Sequence, residues 1–136
     1  MKKPKCADIP EALWPPKGAI EESLEVYRLT RQENVIASTD FLSRYELDKN
    51  KGIVQKALLD NDIYYALSVY EDIDDAKGTM RKFPHKFKSI CEGRTVAEEG
   101  CVRPTPSESC PSHRSWWLYE EADPVKDFKI VEENHE

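Results

Sequence analysis

Residues 63–70 read Ile-Tyr-Tyr-Ala-Leu-Ser-Val-Tyr, a run of aromatic and β-branched side chains unmatched elsewhere in the chain. Such residues suit a pleated, buried surface, and here both faces of the pleat are apolar or aromatic. Side chains alternate across a strand, so this one needs cover on both sides. It predicts a central strand with layers above and below it. The chain has limited material for those layers. Of its 136 residues, 39% are hydrophobic and 34% are charged. That length makes one ordinary domain rather than two. An aromatic share of 10% is too high for a chain disordered throughout.

Around the central run, periodicity sorts the remaining segments. Residues 1–19 hold Pro4, Pro10, Pro15 and Pro16 with little periodicity, which predicts an extended arm docked through Leu13 and Trp14. Residues 20–136 form the single domain. Residues 23–30 alternate as a strand with Leu24, Val26 and Arg28 on one face. Ser38, Thr39 and Asp40 offer acceptors to start a short helix running to about Tyr45, and a second short helix covers residues 53–58. Asp72 is a good N-cap for the main amphipathic helix, about 72–83. Ile73, Ala76, Met80 and Phe83 form its stripe, and Pro84 ends it. Strands follow around 86–91, 102–103, 115–119 and 128–131. The order implies an α+β domain with a mixed or antiparallel sheet.

No apolar run is long enough to span a bilayer, and an acid and prolines replace the apolar stretch of a signal peptide after MKKPKC. We therefore expect a cytoplasmic protein with four reduced cysteines and no membrane partner. The net charge of −6 is unevenly spread. Residues 77–94 carry Lys77, Arg81, Lys82, Lys86, Lys88 and Arg94 against Glu92, net +5, whereas residues 120–136 are net −5. Lys77, Arg81, Lys82, Lys86 and Lys88, interleaved with His85, Phe83 and Phe87, read either as a solvated edge or as a phosphate-binding one.

Three constellations carry candidate chemistry. Cys91, Cys101, Cys110 and His113 are zinc ligand types, but their spacing lacks a tight Cys-x2–4-Cys knuckle. The acids Asp72, Asp74 and Asp75 suit a helix start as well as they suit Mg²⁺. In Ser112–His113–Arg114–Ser115–Trp116–Trp117, adjacent tryptophans point to opposite faces, which leaves one under another layer or open to a ligand. His113 can serve there as a base or a donor.

The segments VYRLT (26–30), STDFLS (38–43), LSVYEDIDDA (67–76), SHRSWW (112–117) and DPVKDFKIV (123–131) together resemble a family of small uncharacterised bacterial proteins. A fainter resemblance is to ADP-ribosyltransferase-like folds. It implies Arg28 as an NAD-contacting base, Ser38 or Ser43 as the supporting hydroxyl, and Glu120 or Glu121 as the acid, although no E-x-E or Q-x-E motif is present. The expectation is a domain that recognises a phosphate-bearing ligand or a macromolecular partner, as an accessory or regulatory protein, through Arg28, Tyr70, His113 and Trp116. A nucleotide-dependent transferase is the alternative, and a zinc-stapled nucleic-acid module comes third. No cofactor is required by the first reading; zinc or an NAD-type nucleotide belongs to the other two.

Overall fold

A computed structural model describes residues 2–131. Its frame is one antiparallel sheet of six strands, and the expected α+β class follows. The strands are β1 (Glu25–Thr30), β2 (Leu67–Tyr70), β3 (Ser89–Arg94), β4 (Gly100–Pro104), β5 (His113–Leu118) and β6 (Phe128–Ile130). They lie in the order β4-β5-β2-β1-β3-β6. Two α-helices, α1 (Arg44–Asn50) and α2 (Ile73–Lys82), and several 3-10 turns pack around the sheet. No described helix is long and apolar enough to cross a membrane. The acids Glu132, Glu133 and Glu136 of the charge-rich end lie outside the described residues.

Alternation fixes which side chains meet. One face carries Val26, Leu67, Val69, Cys91 and Trp116, packed under Phe41, Ala122 and Phe128. Phe41 meets Trp116 edge-on at 6.5 Å and Phe128 at 5.1 Å, the offset arrangement that aromatic quadrupoles favour. The opposite face has two separate covers. α2 lies over Leu29, Tyr70 and Ile90, while the N-terminal arm and residues 44–65 lie over Cys101 and Trp117. Two glycines permit close approach. A Cβ on Gly93 would sit 2.3 Å from the Asp127 carbonyl oxygen, and one on Gly100 would sit 2.6 Å from that of Trp117.

Local chemistry explains where elements begin. The Asp72 carboxylate accepts from the Asp74 N–H at 2.9 Å, so α2 starts where the sequence predicts. Its stripe stops at Met80, however. Phe83 is the C-cap, leaves helical geometry and is 50% exposed. The short helix expected from Asp40 begins instead after Ser43, whose side chain caps the Glu46 N–H while Glu46 caps Ser43 in return. Residues 56–58 form a single 3-10 turn rather than a helix over 53–58.

The central strand is also shorter than its sequence suggests. Residues 62–65 form a 3-10 turn, started by the Asn61 side chain accepting from the Ile63 N–H. The Tyr64 and Tyr65 hydroxyls explain this. Each finds a partner outside the sheet, the Asp48 carboxylate at 2.7 Å and the Leu59 carbonyl at 2.8 Å. The arm docks through half-buried Leu13 and Trp14 and buried Ile9, but it is not extended: turns and a 3-10 turn at Glu11–Leu13 fold it against the body. Ile20 exchanges backbone hydrogen bonds with Val102 and so covers the outer edge of β4.

Candidate functional site

β2 pairs with β5 over four registered residues, from Leu67 opposite Trp116 to Tyr70 opposite His113. With β1 it keeps one registered pair, Tyr27 with Tyr70. The strands part beyond that point, and a cleft of about 340 Å³ opens between the two covers of the sheet, leaving Ser68 exposed although β2 is an interior strand.

The Arg28 guanidinium occupies the seam. Its Nη1 donates to the Ser68 carbonyl at 2.6 Å, and its Nε and Nη2 donate to the Asp40 carbonyl at 2.8 and 2.6 Å. Fixed donors thus take the place of the missing ladder bonds. Burial lowers the Arg28 pKa to about 10, so the group stays charged at neutral pH. Asp40 is held in position by its own carboxylate, which accepts from the N–H groups of Arg31 and Ala37 at 3.0 and 2.8 Å. This tie closes the turn after β1 and brings the Asp40 carbonyl to Arg28.

Three further cations reach the same cleft from separate segments. Arg31 follows β1, Arg44 opens α1, and Lys86 follows α2, where a turn joins the Lys86 and Phe87 N–H groups to the Phe83 carbonyl. Arg31 and Lys86 both lie over the Phe87 ring, at 5.6 and 5.3 Å from its centroid. The Lys86 pKa is pushed down, first by burial and then by the charges of Arg31, Arg44 and Lys51. Asp40 is the one carboxylate lining the cleft among the described residues. Among the described residues, Arg44 pairs with Asp48 one turn along α1 at 3.6 Å, and no ion pair involves Arg28, Arg31 or Lys86.

A larger pocket of about 450 Å³, between β1, β3 and β6, has a different character. Its acids Glu25, Glu92 and Asp127 match its bases Arg94, Lys126 and Lys129 in number. Lys126 pairs with Asp127 and Lys129 with Glu92. Its charge is internally balanced.

Of the residues singled out from sequence, Arg28, Tyr70 and Lys86 meet in the cleft. His113 does not line it. The imidazole packs against Tyr70 with ring centres 5.4 Å apart, and its Nδ1 faces Thr105, 2.8 Å from the hydroxyl and 3.0 Å from the carbonyl. Burial holds its pKa below the usual histidine value. The hydroxyls beside it are engaged as well, Ser112 with Asp75 at 2.6 Å and Ser115 with Thr105 at 2.9 Å.

Trp116 corrects the expectation of a ligand-stacking tryptophan. It is 1% exposed and Trp117 is 2% exposed, because β5 is an interior strand covered on both faces. Trp117 donates to the Asp62 carbonyl at 3.0 Å, while the Trp116 indole N–H has no partner among the described residues. On the basic edge, Lys88 donates to the Pro84 carbonyl, Lys77 is half-buried on α2, and Arg81 and Lys82 complete its last turn in solvent. The missed residues are Arg31 and Arg44. Neither stands in a basic run, so local composition carries no signal for them.

The four zinc-type residues are not brought together. Cys91 on β3 and Cys101 on β4 face opposite sides of the sheet, four strand spacings apart, or roughly 19 Å. All four cysteines are free, and the described residues contain no group of three or more His, Cys, Asp or Glu placed to hold a metal. Asp72 caps α2 and Asp75 accepts from Ser112, which accounts for two of the three acids at the helix start. Of the residues singled out by the ADP-ribosyltransferase resemblance, Arg28 alone lines the cleft. Ser43 is the α1 cap, Ser38 is exposed, and Glu120 and Glu121 line a separate pocket beside Lys2 and Lys3. No protein-family model matches this chain, and no curated protein or solved structure does so either.

Proposed function

We propose that the cleft between β1 and β2 recognises a phosphate-bearing ligand, with Arg31, Arg44 and Lys86 as its donors and Arg28 as a fixed positive wall. The observation that carries this reading is charge imbalance. Among the described residues, four cations line one cleft against a single carboxylate, whose oxygens already accept two backbone N–H groups. Cations that outnumber the acids around them disfavour one another's charged forms, and an entering dianion relieves that repulsion. Arginine forks match phosphate oxygens in pairs, while lysine adds a mobile point charge. This reading makes the protein a binding module with an accessory or regulatory role.

Inorganic pyrophosphate tests it. At low salt, the melting temperature rises with pyrophosphate concentration, as any ligand selective for the folded state requires. The rise shrinks as salt is added and disappears in an Arg44→Ala/Lys86→Ala variant. An equal rise in that variant places the anion elsewhere and ends the proposal.

A further inference from the structure

The cleft is not basic throughout. Leu42, Leu47 and Ile63 also line it, and none of the three belongs to the core clusters of the described residues. Leu42 links the 38–41 turn to α1, Leu47 lies on α1, and Ile63 is 40% exposed on the 62–65 turn. Apolar side chains that stabilise a fold normally join a contiguous core. These three contribute to a cleft wall instead. Arg44 and Leu47 are three residues apart on α1, hence on one helix face, so one ligand can touch both.

Resting on the phosphate reading above, we infer that the ligand is a small soluble organophosphate with an aliphatic body, its phosphate at Arg31, Arg44 and Lys86 and its body against Leu42, Leu47 and Ile63. Size supports a small molecule. About 340 Å³ lies near the lower end of ordinary ligand pockets, roughly 300–1,000 Å³, and exceeds what a phosphate group alone fills. The aromatic rings argue against a nucleobase. Phe87 is engaged by two cations, and Tyr64 and Tyr70 are only 4% and 7% exposed, so no free ring face is offered for stacking.

A chain-length series measured by calorimetry tests the inference: inorganic phosphate, then ethyl, butyl and hexyl phosphate, with AMP and hexanol as controls. Affinity rises by roughly fourfold per added methylene until the wall is covered, AMP binds no better than ethyl phosphate, and hexanol alone fails to bind. Ile63→Gln, at an exposed position, flattens the dependence on chain length. Phosphate binding with no gain along the series overturns the aliphatic assignment and leaves the phosphate reading standing. Failure of every phosphate compound overturns both. Retention of the protein on phosphatidic acid vesicles, without any gain from hexyl over inorganic phosphate, overturns the soluble ligand in favour of a lipid surface.

Discussion

The two seams of β2 use similar residues to opposite ends. On the β5 side the ladder is complete, and the charged and hydroxyl side chains of β5 have partners within the protein, the Trp116 indole N–H being the exception among the described residues. Arg114 pairs with Glu71 at 2.7 Å, Arg103 forks onto both oxygens of Asp62, and His113, Ser112 and Ser115 have internal partners. On the β1 side the ladder stops after one registered pair, and the Arg28 donors fill the gap. The cations around that gap have few or no acids. Basic residues alone therefore do not mark a site in this protein. The distinguishing condition is a break in an interior ladder, which makes room and leaves charge unpaired beside it.

The largest consequence concerns stability. Arg28→Met removes three charge-assisted hydrogen bonds and strands two carbonyls, which costs about 3 kcal/mol in urea unfolding. Arg114→Met, at the closed seam, costs about 1 kcal/mol because its ion pairs are partly solvated. Equal costs would erase the contrast between the seams. A binding difference comes next. Arg44→Ala/Lys86→Ala weakens pyrophosphate binding on the order of 100-fold, by losing two charged donors. Arg103→Ala leaves binding near the wild-type level by calorimetry; a comparable loss there would detach ligand binding from the open seam.

The closed seam has its own pH signature. Burial holds the His113 pKa below 6.5, so between that lowered value and 6.5 the unfolded chain binds more protons than the folded one. Stability is then constant above about pH 6.5 and declines as pH falls through the window, by at most about 1.4 kcal/mol per pH unit. His113→Gln flattens the decline in thermal melts across this range; an unchanged slope would assign it to another group. The smallest effect belongs to Lys86. Its lowered pKa means that charging Lys86 costs more in the folded state than in the unfolded chain. Lys86→Gln therefore leaves the unliganded protein as stable or slightly more so, by no more than about 0.5 kcal/mol, while reducing the gain from pyrophosphate. A clear destabilisation would give Lys86 a structural role.

Much of the fold is legible along the chain because it depends on neighbours in sequence. β1 shows by alternation, α2 by its Asp72 cap and apolar stripe, and the opposed tryptophans by adjacency. The errors share a cause in tertiary competition. Tyr64 and Tyr65 have high strand propensity, yet their hydroxyls find partners outside the sheet and the backbone follows. Asp40 looks like an N-cap, but its carboxylate ties a turn while the Ser43–Glu46 pair starts the helix. Trp116 looks available for a ligand until β5 takes an interior place with Phe41 above it.

The candidate site divides along the same line. The need for two-sided cover over residues 63–70, Arg28 on the first strand and the density of bases after α2 are all properties of local sequence. The meeting of Arg28, Arg31, Arg44 and Lys86 around an exposed Ser68 is not. It follows from where β1 and β2 cease to pair. Alternation sets the face each side chain occupies, but the point of divergence depends on the two layers competing to cover that face. Those layers come from distant parts of the chain, and their packing, rather than any nearby residue, leaves the cleft open.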